Sequence, residues 1–117
     1  MATRAQIDAA TAVLGMSWEE ITEQCRADLG RYGVLPLDRV NGMTRVPAAD
    51  IQPGDLVAVF AHQRYRAARV WKVGSKNVSA FYLAPSHLDD AARYGRTLHP
   101  NNITAAPSAV IARRGDV

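Results

Sequence analysis

The chain is 117 residues long, 48% apolar and 21% charged, with a formal net charge of +3, a size that suits one domain with a modest core. No apolar run approaches the roughly 20 residues of a membrane helix. The opening MATRAQIDAATAV lacks the charged start, apolar block and cleavage site of a signal peptide, and the single cysteine, Cys25, excludes an internal disulfide or a cysteine zinc cluster. A cytoplasmic protein without membrane contact, held by packing alone, is expected.

The first helix is marked by a capping box, Thr3 with Gln6, and Ile7, Ala10 and Leu14 fall on one side before Gly15 ends it. Ser17 with Glu20 makes a second box, and Met16 and Ile21 are spaced as a hydrophobic staple. A second helix is therefore predicted from Trp18 to about Leu29, with Gly30 as its stop. Its apolar stripe is Trp18, Ile21, Cys25 and Leu29. From Arg31 the pattern breaks up, with Pro36, Gly42, Pro47 and Pro53-Gly54-Asp55 as punctuation. Leu56 to Phe60, Arg64 to Val73 and Val78 to Leu83 then read as three strands of a meander. Pro85 to Pro100 reads as loop or a short helical turn around Leu88 to Tyr94, and Asn102 to Ala105 and Ala109 to Arg113 as short closing strands.

The phrase VPAADIQPGDLVAVF, a strand mixing Arg with aromatics, a second hairpin and a late RTLHPNNITAA together resemble a small SH3-like barrel, with Pro53-Gly54-Asp55 as its entry turn. The whole is similar to small accessory proteins of actinobacterial phages, in which a short helix beginning TRAQIDAA precedes such a barrel. The expected fold is thus a single α+β domain over 1–117: a helical hairpin (1–30), a connector (31–45) and an SH3-like barrel (46–113). Trp18, Ile21 and Leu29 should cover an open side of the barrel, because a two-helix unit cannot bury its stripe alone.

Charge is uneven along the chain. Residues 1–37 hold five acids and three bases, whereas 38–117 hold six and eleven. Between Leu56 and Leu88 there is no Asp or Glu, against Arg64, Arg66, Arg69, Lys72 and Lys76, so any positive face belongs there. The stretch Leu14 to Thr22 has the outline of a helix-turn-helix, with Gly15 at the turn. Its second helix, however, opens on Trp18, Glu19, Glu20 and Glu23, which would set three carboxylates against phosphate. The helix dipole accounts for those carboxylates without DNA. Arg64, Arg66, Lys72 and Lys76, interleaved with Tyr65, Trp71, Phe81 and Tyr82, are the better candidate for nucleic acid or a partner. Alternation along the strand puts Arg64, Arg66 and Lys72 on one face, opposite Tyr65 and Trp71.

Of His62, His87 and His99, only His87 has acids close in sequence, Asp89 and Asp90, and the spacing matches no metal signature. Cys25 sits on an apolar stripe, away from any base that would activate it. There is no nucleophile elbow, phosphate-binding glycine loop or dinucleotide fingerprint. These observations predict a non-catalytic binding module without cofactor or metal. On the phage resemblance it is an accessory protein engaging a host protein in the host cytosol, with nucleic-acid binding through Arg64, Tyr65, Arg66, Trp71, Lys72 and Lys76 as the alternative.

Overall fold

The computed structural model describes residues 2–43, 45–61 and 63–115. In chain order these form helices α1 (Arg4–Leu14) and α2 (Trp18–Tyr32), a short strand β1 (Val34–Leu35), helix α3 (Leu37–Asn41), a single 3-10 turn (Ala48–Asp50), strands β2 (Leu56–Ala61), β3 (Arg64–Val73) and β4 (Val78–Tyr82), helix α4 (Pro85–Tyr94), and strands β5 (Asn101–Ala105) and β6 (Ala109–Ala112). Both predicted capping boxes are made: Thr3 and Gln6, and Ser17 and Glu20, exchange side-chain and backbone hydrogen bonds. Gly15 closes α1 at φ 65°, a left-handed conformation glycine adopts without a Cβ penalty.

Gly30 does not stop α2. The helix runs through it to Tyr32, and Gly33, at φ 61°, is its cap. The reason is tertiary: Asp28, Leu29 and Tyr32 all pack inward, which outweighs the roughly 1 kcal/mol that a mid-helix glycine costs. The expected connector holds β1, which pairs with β3 at Val34↔Arg66 and Leu35↔Tyr65, and α3. The expected short turn near Leu88 is instead a full helix beginning at Pro85. Ala84, before it, offers no side-chain cap; instead His87 in the first turn reaches back, its Nδ1 accepting from the Ala84 N–H at 2.9 Å.

All strand pairings are antiparallel, and the order is β5-β4-β3-β2-β6, with β1 on β3. The fold is therefore α+β, as expected; its sheet is open, and the SH3-like form of the expected barrel is not confirmed. Pro107, between β5 and β6, has no N–H to donate, and the Ser108 N–H bonds back to the Ala58 carbonyl on β2 at 2.8 Å. The last strand is thereby tied to β2 and not to β5.

Alternation gives the sheet two apolar faces. Val57, Val59, Ala68, Val70, Val78, Ala80 and Tyr82 make one, and Ile103 of β5 and Val110 of β6 both pack against it. On the other, Trp71, Phe81 and Leu83 meet Ala10 and Leu14 of α1 and Ile21 and Cys25 of α2, with Trp18 and Leu29 partly buried beside them. The helical hairpin thus covers the sheet through its stripe, as expected. Leu56, Ala58, Ala67 and Ala109 continue this face under Leu35 and Val40.

Two buried carboxylates fasten the layers. Asp28 takes Arg69 in a two-pronged ion pair, Nη2 to Oδ1 at 2.6 Å and Nε to Oδ2 at 3.1 Å, and Arg69 Nη1 also donates to the Gly54 carbonyl at 2.9 Å. Asp55, at the end of the expected Pro-Gly-Asp turn, accepts from the Gln52 N–H (3.0 Å), Arg113 Nη1 (2.8 Å) and the Arg114 N–H (2.9 Å). Gly54 is at φ 97°, and a Cβ there would stand 2.6 Å from Cδ of Arg114. The positive φ is what favours glycine there; a Cβ would also oblige the Arg114 side chain to move.

Burial alone would raise the Asp55 pKa, but the hydrogen bonds from Gln52, Arg114 and Arg113, with the Arg113 charge, more than offset it and hold the carboxyl below its ordinary 3.8. A depressed folded-state pKa gives stability that is whole above the unfolded-state value and is lost as pH falls through the folded-state value. Urea midpoints of the parent should therefore drop as pH falls below 3.8. In Asp55→Asn the midpoint should be lower at neutral pH and its acid limb flatter. Parallel acid limbs for the two proteins would refute this role.

Candidate binding surfaces

Cys25 is buried, and burial together with the neighbouring Asp28 pushes its thiol far above the ordinary range, against the opposing pull of Arg69. It is a packing residue. His87 bonds back to the Ala84 N–H and its Nε2 lies 3.3 Å from Asn101 Nδ2, while Asp89 and Asp90 are exposed. Among the described residues no three His, Cys, Asp or Glu side chains are grouped to hold a metal. His99 is exposed on the α4–β5 connector, and His62 lies outside the described residues.

Of the six residues singled out on β3 and its turn, the structure makes two pairs, Arg64 with Tyr65 and Trp71 with Lys72, and leaves Arg66 and Lys76 outside both. The β3–β4 register steps from Val70↔Ala80 to Lys72↔Ser79, so Trp71 and Lys72 together oppose a single position. Such a bulge resets the alternation. Arg64 and Arg66 keep the phase of Ala68 and Val70, whereas Lys72 joins Trp71 on the helix-covered side, and Val73 returns to the Val78 side. The single strip of Arg64, Arg66 and Lys72 does not exist: eight residues, roughly 26 Å of strand, and a change of face separate its ends. Arg66, in between, is half-buried, with its guanidinium carbon 5.6 Å from the Tyr82 ring centroid and its buried Nε without a hydrogen-bond partner among the described residues.

At one end, Arg64 and Tyr65 line a hollow of about 460 Å³ with Leu35, Pro36, Leu37, Phe60 and Gln63. Phe60 and Tyr65 are cross-strand partners whose rings meet edge to face, centroids 5.2 Å apart. Their β2–β3 turn contains Gln63 at φ 64°, the left-handed geometry that tight hairpins need. Leu37 is 60% and Phe60 55% exposed. These members were not singled out in the sequence, yet a signal existed: Phe60 and Tyr65 flank the turn symmetrically.

At the other end, Trp71 and Lys72 line a hollow of about 330 Å³ with Gln6, Gly74, Asn77, Ser79 and Thr104. Trp71 is itself buried, stacked on Phe81 at 5.7 Å with its indole N–H donating to Asn102 Oδ1 at 2.8 Å. Lys76 is exposed in the adjoining turn. Comparison with protein-family models, with curated proteins and with solved structures finds no match to this chain.

Proposed function

We propose that the protein is a non-catalytic binding module that engages a protein partner through the hollow at the β2–β3 turn. The observation that carries the reading is the pair of large apolar side chains left in water there, Leu37 and Phe60. Exposing them together costs solubility unless something covers them, and aromatic side chains in a concave site are what interface hot spots are made from. The hollow has no carboxylate in its lining, and Arg64 has no carboxylate within 4.0 Å among the described residues. The occupant that suits it is an extended segment with an apolar side chain beside an Asp or Glu. On the resemblance to phage accessory proteins, that segment belongs to a host protein. The nucleic-acid alternative loses its contiguous basic strip at the Trp71 bulge, and the protein-partner reading is preferred for that reason.

Random peptides displayed against the immobilised full chain should enrich sequences pairing an aromatic or aliphatic residue with an acid. Replacing Leu37 and Phe60 together by Ser should weaken the selected peptides about tenfold or more. Both positions are more than half exposed, so the variant should stay folded and melt only modestly below the parent, by the loss of the Phe60–Tyr65 ring contact. Nuclease treatment should change nothing. A selection without consensus, or peptides that bind the variant equally, would refute the site.

A further inference from the structure

We propose that the hollow between α1 and the β3–β4 hairpin is an oxyanion site that takes the phosphate group of a phosphorylated ligand. This goes beyond the partner groove and involves none of its residues. Beside Trp71 and Gly74, its lining residues all carry hydrogen-bond donors: the Lys72 ammonium, the Gln6 and Asn77 carboxamides, and the Ser79 and Thr104 hydroxyls. The Gln6 side-chain oxygen already accepts from the Thr3 N–H at 2.9 Å, so the group it has left is its NH₂. Ser79 and Thr104 share one hydrogen bond, 2.9 Å between their oxygens, so one of the two O–H groups is left over to donate to a third atom.

No carboxylate contributes to the lining, and neither Lys72 nor Lys76 has one within 4.0 Å among the described residues. The acid-free run from Leu56 to Leu88 supplies β3, β4 and the turn between them. From α1, the charged groups are Arg4 and Asp8, and these pair with each other at 3.3 Å. The hollow therefore has a net positive lining and more N–H and O–H donors than the roughly four acceptor positions of one carboxylate can use. A phosphate, with a further oxygen and about two charges, matches that donor set better. At about 330 Å³ the space is at the small end of small-molecule sites. The bulge at Trp71 is what makes it, because it is the bulge that turns Lys72 to this side.

Two sources offer the same chemistry, a free phosphorylated small molecule and the backbone of a nucleic acid. Inorganic phosphate titrated into the ¹⁵N-labelled full chain should shift the amides around Lys72, Asn77, Ser79 and Thr104 saturably, and leave those around Phe60 and Tyr65 unmoved. Lys72→Gln should weaken phosphate about tenfold, the loss of one charge-assisted contact, whereas Arg64→Gln, with the same change in net charge, should not. Adenosine monophosphate and a single-stranded oligonucleotide, titrated at matched phosphate concentration, identify the source by which binds more tightly and loses more on Lys72→Gln. No saturable shift with inorganic phosphate, or equal weakening by Lys72→Gln and Arg64→Gln, would overturn the site. Neither result touches the peptide selection at the other end of β3.

Discussion

Asp28→Ala should destabilise the protein by about 3–5 kcal/mol, the usual cost of leaving one partner of a buried ion pair alone. Both side chains of the pair are less than a tenth exposed, Arg69 at 7% and Asp28 at 5%. Without the carboxylate, the guanidinium keeps, among the described residues, the Gly54 carbonyl alone. The pair's own net contribution is a different quantity. Replacing both ends by apolar side chains of similar size, Asp28→Leu with Arg69→Met, should recover most of the loss, since the cost of stripping water from two charges offsets much of their attraction. Urea denaturation followed by circular dichroism measures all three proteins. A loss below about 1 kcal/mol for Asp28→Ala would mean that the orphaned guanidinium reaches water. The route for that water would be the hollow of about 260 Å³ that Arg69 lines with Gln24 and Arg114.

Phe81→Ala should have a comparable effect, about 3–5 kcal/mol, by a different mechanism. The ring is completely buried. It is stacked on Trp71 and meets the edge of Trp18 at 5.2 Å, so it joins β3 and β4 to the start of α2. Its removal leaves a cavity where the helical hairpin rests on the sheet. Amide exchange should accelerate most in α1 and α2, and the tryptophan emission should shift to the red. Phe81→Leu, which refills part of the volume, should cost less. Uniform acceleration of exchange across sheet and helices would show that the hairpin and sheet open only as one unit.

The features legible in the sequence are those determined within a few residues. Thr3 with Gln6 and Ser17 with Glu20 announce two helices because the partners of each box are three residues apart, and β3 begins and ends at the predicted Arg64 and Val73. Two of the features that escaped, the run of α2 past Gly30 and the Trp71 bulge, depend on distant chain; the α4 start and Asp28 are local but use residues outside the usual signals. Gly30 reads as a stop until α2 is seen to be held beyond it. The start of α4 is invisible to a search for Ser, Thr, Asp or Asn before the helix, because Ala84 stands there and only His87, inside the first turn, bonds back to it. The Trp71 bulge exists only relative to β4, and it divides the expected basic strip. Asp28 is the instructive omission: it stands seven residues after Ile21 and three after Cys25, on the same side of the helix, and a carboxylate in that stripe signals a buried cation elsewhere.

The tie between Arg114 and the rest of the molecule has a consequence for how the chain comes to be folded. β6 pairs with β2, the Arg114 N–H closes on Asp55, and its side chain reaches across Gly54 toward the Leu14 carbonyl, a hundred residues back. On a ribosome delivering residues one at a time, α1 and α2 emerge with a stripe that nothing yet covers, and the turn at Asp55 waits for an arginine 59 residues further along. Contacts of such long sequence separation are slow to find. The nascent protein therefore passes through an interval in which its helical hairpin, β2 and β3 are present and their fastening is not. In that interval the sheet's apolar faces lie open to chaperones and proteases, and synonymous changes that alter the pace of translation through β6 should affect yield more than those in α1 and α2.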